Sequence, residues 1–323
     1  MIDFNRKTKQ LLEASSHGRI GIRKFEAIVP SVASQIVSDA GMDWLSFWGQ
    51  SFNFDEHEHA TIVDPKILAL IGRIAKTEMR IGNSYHAGLT HTYGYLFSVL
   101  KTRYGFKRER WTTGTIEKGL GLPSGVFSPS PRQGTLLSNL TFTLMNIAAG
   151  NQLSSDKLTS QIRLTSQFRD LPKGLANHDF SRSKITRITE SVEIRSPGKA
   201  KASIRIFTDL VRYKSKQPNG VGLLVYSYKS TGPTNRAQAS GAQVNQRKTN
   251  QGKTNQGSAG QGNANRTQMN HPKLVTCFPI GQESCQQLLA DSRSNSLPIK
   301  ARYNASIPGF PADGVKGRRS ITE

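Results

Sequence analysis

The hydrophobic period of the chain changes near Lys184, and this change constrains the fold more than any other feature. Up to about residue 150, apolar residues recur with a helical period, as in Pro30–Gly41 and in the stretch that follows Asp64 and Pro65. Beyond Lys184 they alternate with polar residues, which is typical of strands with one buried face. Helices followed by strands predict an α+β fold with a helical N-terminal half.

Four strands are expected after the change of period. Turn sequences at 196–199 and 218–220 separate three alternating stretches, and Lys273–Pro279 is the fourth. Strands joined in chain order favour an antiparallel sheet, here of four to five strands. The segment Leu297–Phe310 is predicted to lie across this sheet or to form its fifth strand.

A low-complexity segment interrupts the predicted sheet at 231–270. It is rich in Asn, Gln, Gly, Ser and Thr, and it contains a direct repeat of the sequence KTNQG. Because it has almost no apolar side chains to bury, we expect it to be disordered.

The predicted organisation has three parts. They are a mainly helical part at 1–180, an antiparallel β part at 181–310 that contains the insertion, and a flexible tail at 311–323. One composite domain and two domains both fit this pattern.

The formal charge of +22 comes entirely from the chain beyond residue 100. The first 100 residues carry 10 Lys and Arg against 10 Asp and Glu, whereas the rest carry 34 against 12. A field of one sign over one part of a protein attracts polyanions or anionic substrates. A basic surface that serves solubility alone is the other explanation of this charge.

Several classes of protein find no support in the sequence. The two cysteines, Cys277 and Cys285, are too few for a disulfide framework, which favours a reducing compartment. The chain has no run of 18 apolar residues and no apolar stretch after its basic N-terminus, so we expect a cytoplasmic protein without a membrane partner. It contains no Walker A, GxGxxG or GxSxG motif, and it predicts no cofactor.

The densest group of reactive side chains lies in Ser84–Trp111, which contains two histidines and four tyrosines. His86 and His91 are interpreted as general acid or base, with His91 near the start of a helix, where free N–H groups hold anions. We assign Tyr93 to the same catalytic site. Two locally hydrogen-bonded histidines without a catalytic role are the alternative.

The basic run Lys107–Arg110 follows the predicted helix and is expected to contact phosphate. If this run is extended, Arg108 and Arg110 lie on one side, and such a pair suits bidentate contacts. Arg108 is assigned to stabilising charge during catalysis. Arg110 and its neighbour Trp111, together with Tyr85, are assigned to substrate binding.

Three residues of the predicted sheet are candidates for an exposed RNA-binding face. Arg205, Tyr226 and Tyr228 combine positive charge with aromatic rings, which is one way in which a sheet binds single-stranded RNA. No RNP-type sequence accompanies them.

His57 and His59, in the sequence DEHEH, are candidate metal ligands. Alternate residues of an extended chain face the same side, so both rings could bind one ion. A solvated loop explains the same five residues.

These features favour a protein that acts on a polyanion, RNA rather than DNA, or on another anionic ligand. An RNA-binding protein or a metal-independent ribonuclease is the leading hypothesis. The alternative is a small-molecule enzyme whose His/Tyr/Arg pocket lies between the helical half and the sheet, and a non-catalytic basic scaffold is the third. The sequence does not indicate the oligomeric state.

Overall fold

The computed structural model describes residues 3–17, 20–77, 80–81, 83–102, 105–149, 168, 170–180, 183–194, 202–213, 222–231, 271–311 and 313–323. The predicted disordered insertion lies outside the described residues except for Thr231, which ends a strand.

The first half of the chain is mainly helical, as predicted. The helices are α1 (Phe4–Ser16), α2 (Ile22–Ile28), α3 (Pro30–Gly41), α4 (Pro65–Ile74), α5 (Ala87–Leu89), α6 (Thr115–Leu120), α7 (Leu136–Ala149), α8 (Lys173–Ala176) and α9 (Gln282–Arg293). None of the helices in the described residues has the length and apolar character that crossing a membrane requires.

Local sequence signals explain where α4 begins. The Asp64 side chain accepts a hydrogen bond from the Lys66 backbone N–H at 2.8 Å, and Pro65 occupies the first helical position. Ile67 and Ile71 are spaced by one helical turn and are fully buried, so the apolar stripe seen in the sequence is the face that packs.

Short strands connect the helices of the first half. They are β1 (Gln50–Phe52), β2 (Phe54–Asp55), β3 (Ala60–Thr61), β4 (Arg80–Ile81), β5 (Ser84–His86), β6 (Lys101–Thr102) and β7 (Gly105–Phe106). Strands β1, β4 and β5 belong to a small antiparallel sheet whose edge strand, β12 (Ala305–Ser306), comes from the C-terminal region. Tight 3-10 turns occupy Asp43–Phe47 and Lys107–Trp111.

The helix predicted to begin near His91 begins earlier, with α5. It continues through a wide π-helical turn at Thr90–Gly94 and a tight turn at Tyr95–Phe97. Gly88 is required in α5, because a Cβ atom there would lie 2.8 Å from Cγ of Trp48. The wide turn directs the His91 side chain towards the large sheet.

The second half forms a five-stranded antiparallel sheet, which confirms the predicted fold class. Its strands are β8 (Ser183–Ile194), β9 (Ala202–Tyr213), β10 (Gly222–Thr231), β11 (Lys273–Ile280) and β13 (Arg318–Thr322), in the order β11-β10-β9-β8-β13. The fifth strand is therefore not formed by Leu297–Phe310. The prediction of a flexible tail is wrong for Arg318–Thr322, because these residues pair with β8.

The two faces of this sheet pack against different parts of the chain. The helix face, which includes Val211 and Val225, shares one apolar core with the helical half. The tail face, which includes Ile206 and Tyr226, is covered by α9 and by the segment around Ile307. This agrees with the expectation that the segment from 297 to 310 lies across the sheet.

Buried ion pairs fix both faces. On the helix face, Arg187 binds Asp209 (Nε to Oδ1 2.6 Å) and donates to the backbone oxygen of Ala148, at the end of α7. On the tail face, Glu190 is fully buried and accepts hydrogen bonds from both Arg302 and Arg319 at 2.8 Å. These two arginines attach the C-terminal region to β8.

Candidate nucleic-acid interface

Four strand ends meet at one end of the large sheet: β8 and β10 end there, and β9 and β11 begin there. We name this region the basic end and define it by Arg205, Phe207, Lys229, His271 and Lys273. Arg205, Phe207 and Lys229 are on the helix face, because they occupy alternate positions of β9 and β10 in step with the buried Val211 and Val225.

Arg205 and Lys229 are direct cross-strand neighbours at the basic end. Arg205 is exposed and Lys229 is half-buried, and neither forms an ion pair with a described residue. Like charges directly opposite each other destabilise a sheet. The fold therefore gains nothing from this pair, whereas an anionic ligand would.

His271 connects this pair to a third cation. Burial lowers the pKa of His271, and the charges of Lys229 and Lys273 lower it further. The basic end thus concentrates positive charge, while His271 itself is disfavoured as a charged group.

An aromatic ring accompanies these charges. Phe207 is half-buried on the same face as Arg205, and the Arg187 guanidinium lies 5.1 Å from the centre of its ring. A ring beside Arg205 and Lys229 can stack on a base while these two cations contact phosphates. Lys273 donates to the backbone oxygen of Ser46.

The chain segments that join the strands at this end add charge of the same sign. The β8–β9 connection and the β10–β11 connection contain no acidic residue. Their basic residues are Arg195, Lys199 and Lys201 in the first, and Arg236, Arg247, Lys248, Lys253 and Arg266 in the second.

His91 is fully buried and forms hydrogen bonds with the edge strand β11 of the large sheet. Its Nε2 atom accepts a hydrogen bond from the Cys277 backbone N–H at 3.4 Å, so the proton is on Nδ1, which lies 3.3 Å from Oγ1 of Thr276. Burial and the Arg110 charge lower the pKa of His91 well below its usual value. The ring covers the free edge of β11, and its lone pair is not available to a substrate.

His86 has different partners from His91, and no hydrogen bond of the described residues joins the two rings. Its Nε2 atom donates to the Leu45 backbone oxygen at 3.0 Å, and burial lowers its pKa to about 4. The predicted placement of His91 near a helix start is wrong, because His91 lies within the turn Thr90–Gly94 that continues α5, and it is His86 that immediately precedes α5.

Tyr93 lies in a third place, where its hydroxyl donates to the fully buried Asp39. Thr135 donates to the other carboxylate oxygen at 2.5 Å. Burial raises the pKa of Asp39 to about 7, and it raises the pKa of Tyr93 well above its usual value. No cation faces this carboxylate among the groups that shift its pKa.

Arg108 and Arg110 do not lie on one side, because their segment is a 3-10 turn and not extended. Arg108 stacks on Phe106, with 4.0 Å between its guanidinium carbon and the ring centre, and donates to Ser98 O. Arg110 donates instead to the backbone oxygen of Cys277, on the edge strand.

Two of the residues assigned to substrate binding are buried in the helical half. Tyr85 is on β5, where it pairs with Ser51. Trp111 is 1% exposed and donates from Nε1 to the His91 backbone oxygen at 3.3 Å.

The expected open face with Arg205, Tyr226 and Tyr228 is also corrected. The two tyrosines are on the tail face and are buried. The ring of Tyr303, from the C-terminal region, lies 5.1 Å from that of Tyr226, and the ring of Tyr228 packs against Gly49. Arg205 is on the opposite, helix face.

His57 and His59 are exposed in the turn between β2 and β3. In the described part of the chain, no group of three or more His, Cys, Asp or Glu side chains is placed to hold a metal ion. The Cys277 thiol is 3.6 Å from His91, but burial raises its pKa to about 12, so it is not an activated nucleophile.

The sequence contained a signal for one of the residues that were not predicted. Phe207 follows Arg205 by two positions and therefore shares its face. Lys229 could not be found in this way, because the pairing of β9 with β10 depends on the connection between them. His271 and Lys273 precede or begin a strand, and their neighbours depend on the same register.

The chain was compared with protein-family models, with curated proteins and with solved structures, and no match was found in any of the three.

Proposed function

We propose that the basic end of the sheet binds single-stranded nucleic acid, with RNA as the preferred form. The observation that carries the proposal is the cross-strand pair of Arg205 and Lys229, two cations that face each other without a carboxylate partner among the described residues. Phosphate groups relieve the repulsion between such a pair, and the released counterions make binding depend on salt.

Two further features support a single-stranded nucleic acid as the ligand. Phe207 offers a ring on the same face, and base stacking on an aromatic side chain requires unpaired bases. The connections 195–201 and 232–270 are basic and contain no acidic residue, so the sequence that joins the strands at this end favours an anionic ligand.

The proposal concerns binding and assigns no cleavage to the predicted histidines. A general base needs an accessible lone pair within hydrogen-bond reach of the substrate. His91 uses its lone pair on Cys277. His86 donates from Nε2 to Leu45, so its lone pair is on Nδ1, an atom that is buried away from solvent.

The test measures binding of a short fluorescent single-stranded RNA at about 50 and about 200 mM salt. The double variant R205Q/K229Q should lower the slope of log affinity against log salt by about 1.4, since each phosphate contact to a single strand contributes about 0.7. The matched control is K66Q/R73Q, which removes the same charge from exposed positions on α4.

If both double variants lower the salt slope equally, the overall charge of the protein explains the binding, and a localised interface is contradicted. Equal affinity for single-stranded DNA of the same sequence would remove the preference for RNA. The same samples on a denaturing gel report whether the RNA is cut.

A further inference from the structure

The register of the large sheet places two more residues in line with Arg205 and Lys229. Arg205 pairs with Lys229 on one side and with Ser191 on the other. Ser191 in turn pairs with Arg318. We name these four residues the transverse row, since they lie side by side across β10, β9, β8 and β13. Directly paired residues of neighbouring strands share a face, so the positive charge of the basic end continues on the helix face to the edge strand β13.

Solvent reaches every position of the transverse row. Arg205 and Arg318 are exposed, and Lys229 and Ser191 are half-buried. Arg318 resembles the other two cations of the row in forming no ion pair with a described residue. The next residue, Arg319, is on the opposite face, where it binds a buried carboxylate. Strand β13 therefore contributes one arginine to the fold and presents the other to solvent.

A ring and two hydroxyl groups form the next row on the same face. Phe207 pairs with Thr189, and Thr189 pairs with Ser320. Phe207 and Thr189 are half-buried, and Ser320 is exposed. This neighbouring row carries no charge. Bases can stack on its ring and form hydrogen bonds with its hydroxyl groups while the transverse row contacts phosphates.

A carboxylate lies on the other side of the transverse row. Glu193 is exposed and pairs with Ser203, so it is a diagonal neighbour of Arg205. No ion pair joins these two side chains in the described part of the chain. Because a carboxylate repels phosphate groups, a nucleic acid is expected to extend from the transverse row towards the side of Phe207.

We infer that the single-stranded nucleic acid crosses the strands of the sheet along the transverse row, with Arg318 as a further phosphate contact. This path rests on the proposed function, since it extends the same ligand from the basic end. Neighbouring strands are about 4.8 Å apart, so one phosphate can contact both Arg205 and Lys229, whereas Arg318 lies about 10 Å from Arg205. Arg318 therefore contacts a second phosphate, and the ligand is an oligonucleotide rather than a mononucleotide.

The first test measures binding of the short fluorescent single-stranded RNA to R318Q at about 50 and about 200 mM salt. The slope of log affinity against log salt should fall by about 0.7, the contribution of one phosphate contact to a single strand. The matched control is R23Q, which removes the same charge from an exposed position on α2 and should leave the slope unchanged.

A second variant adds a cation to the row, and its expected effect is a gain that loss of folding cannot produce. Ser191 lies between Arg205 and Arg318, so S191K should raise the salt slope by about 0.7. Q10K adds the same charge at an exposed position on α1 and is expected to leave the slope unchanged.

Removing the carboxylate tests the side on which the ligand lies. E193Q should strengthen RNA binding, and the gain should shrink at the higher salt concentration because ions screen exposed charges. E13Q, at an exposed position on α1, should not change the affinity.

The outcomes separate this path from the proposed function. An unchanged slope in R318Q together with a lower slope in R205Q/K229Q would overturn the path and leave the proposed function intact. Equal effects of R318Q and R23Q, or of S191K and Q10K, would also overturn it. If the unmodified protein shows no salt-dependent binding of RNA, both the path and the proposed function are wrong.

Discussion

Basic side chains have different partners on the two faces of the five-stranded sheet. On the tail face, Arg302 and Arg319 surround the buried carboxylate of Glu190. At the basic end of the helix face, Arg205 and Lys229 face each other without a carboxylate. The first arrangement joins the C-terminal region to the sheet, and the second contributes nothing to the fold.

This difference separates cations that stabilise from cations that are available to a ligand. A buried charge without a partner costs several kcal/mol, and Arg302 and Arg319 supply the counter-charge of the buried Glu190. An exposed charge costs little in water, so unpaired cations can collect at a surface. Asp39 is a third case, a buried carboxylate held by hydrogen bonds alone.

The largest effect is expected for Glu190→Gln. Glutamine has a similar shape but no charge, and it leaves two arginines, one of them 5% exposed, without a counter-charge. Removing one partner of a buried ion pair costs about 3–5 kcal/mol, so the free energy of unfolding should fall by that amount in urea titrations.

Glu193→Gln is the matched control for this variant. Glu193 is on the same strand but exposed, and its replacement should change the free energy of unfolding by less than about 0.5 kcal/mol. Similar losses for the two variants would show that the pairing of Glu190 does not hold the tail face.

An intermediate, pH-dependent effect is expected for Asp39→Asn. The pKa of Asp39 is raised from 3.8 to about 7 in the folded protein, so the folded state binds more protons than the unfolded state between these values. This carboxyl group therefore stabilises least above pH 7, and its contribution falls as pH rises from about 4 to about 7.

Asparagine does not titrate, and it keeps a carbonyl that accepts from Tyr93. The difference in unfolding free energy between variant and wild type should shift in favour of the variant by about 2 kcal/mol from about pH 5 to about pH 7. Urea titrations at both pH values measure this shift. A constant difference would mean that Asp39 is ionised throughout.

The fold was predictable from local patterns, and the candidate site was not. Alternation located the strands from β8 to β11, and Asp64 with Pro65 located the start of α4. The predicted exposure of Tyr226 was wrong, because alternation shows which residues share a face but does not show what covers that face. The C-terminal region that covers this ring is 77 positions further along the chain at Tyr303, and only tertiary structure brings the two together.

The hydrogen-bond partners of the two histidines could not be predicted for a related reason. A sequence window shows that His86 and His91 are near each other in the chain, but it does not show their acceptors and donors. The partners of His91 are at Thr276 and Cys277 on the edge strand. Composition predicted the excess of positive charge, whereas the cross-strand pairing of Arg205 with Lys229 needed the register.

The smallest effect on stability is expected at the basic end, and its sign is opposite to that of Glu190→Gln. R205Q and K229Q should each leave the free energy of unfolding unchanged or raise it by a few tenths of a kcal/mol, because each removes a repulsion of about 0.2–1 kcal/mol. Since either change alone removes this repulsion, the double variant should gain less than the sum of the two single variants.

Salt concentration provides the control for this comparison of the two single variants with the double variant. The coupling energy between R205Q and K229Q should shrink at high salt, because ions screen exposed charges over about 10 Å at 0.1 M. A loss of more than about 1 kcal/mol in either single variant would assign the residue a structural role, as in the paired arginines of the tail face. A gain in stability together with weaker RNA binding would instead show that these cations are kept for a ligand at a cost to the fold.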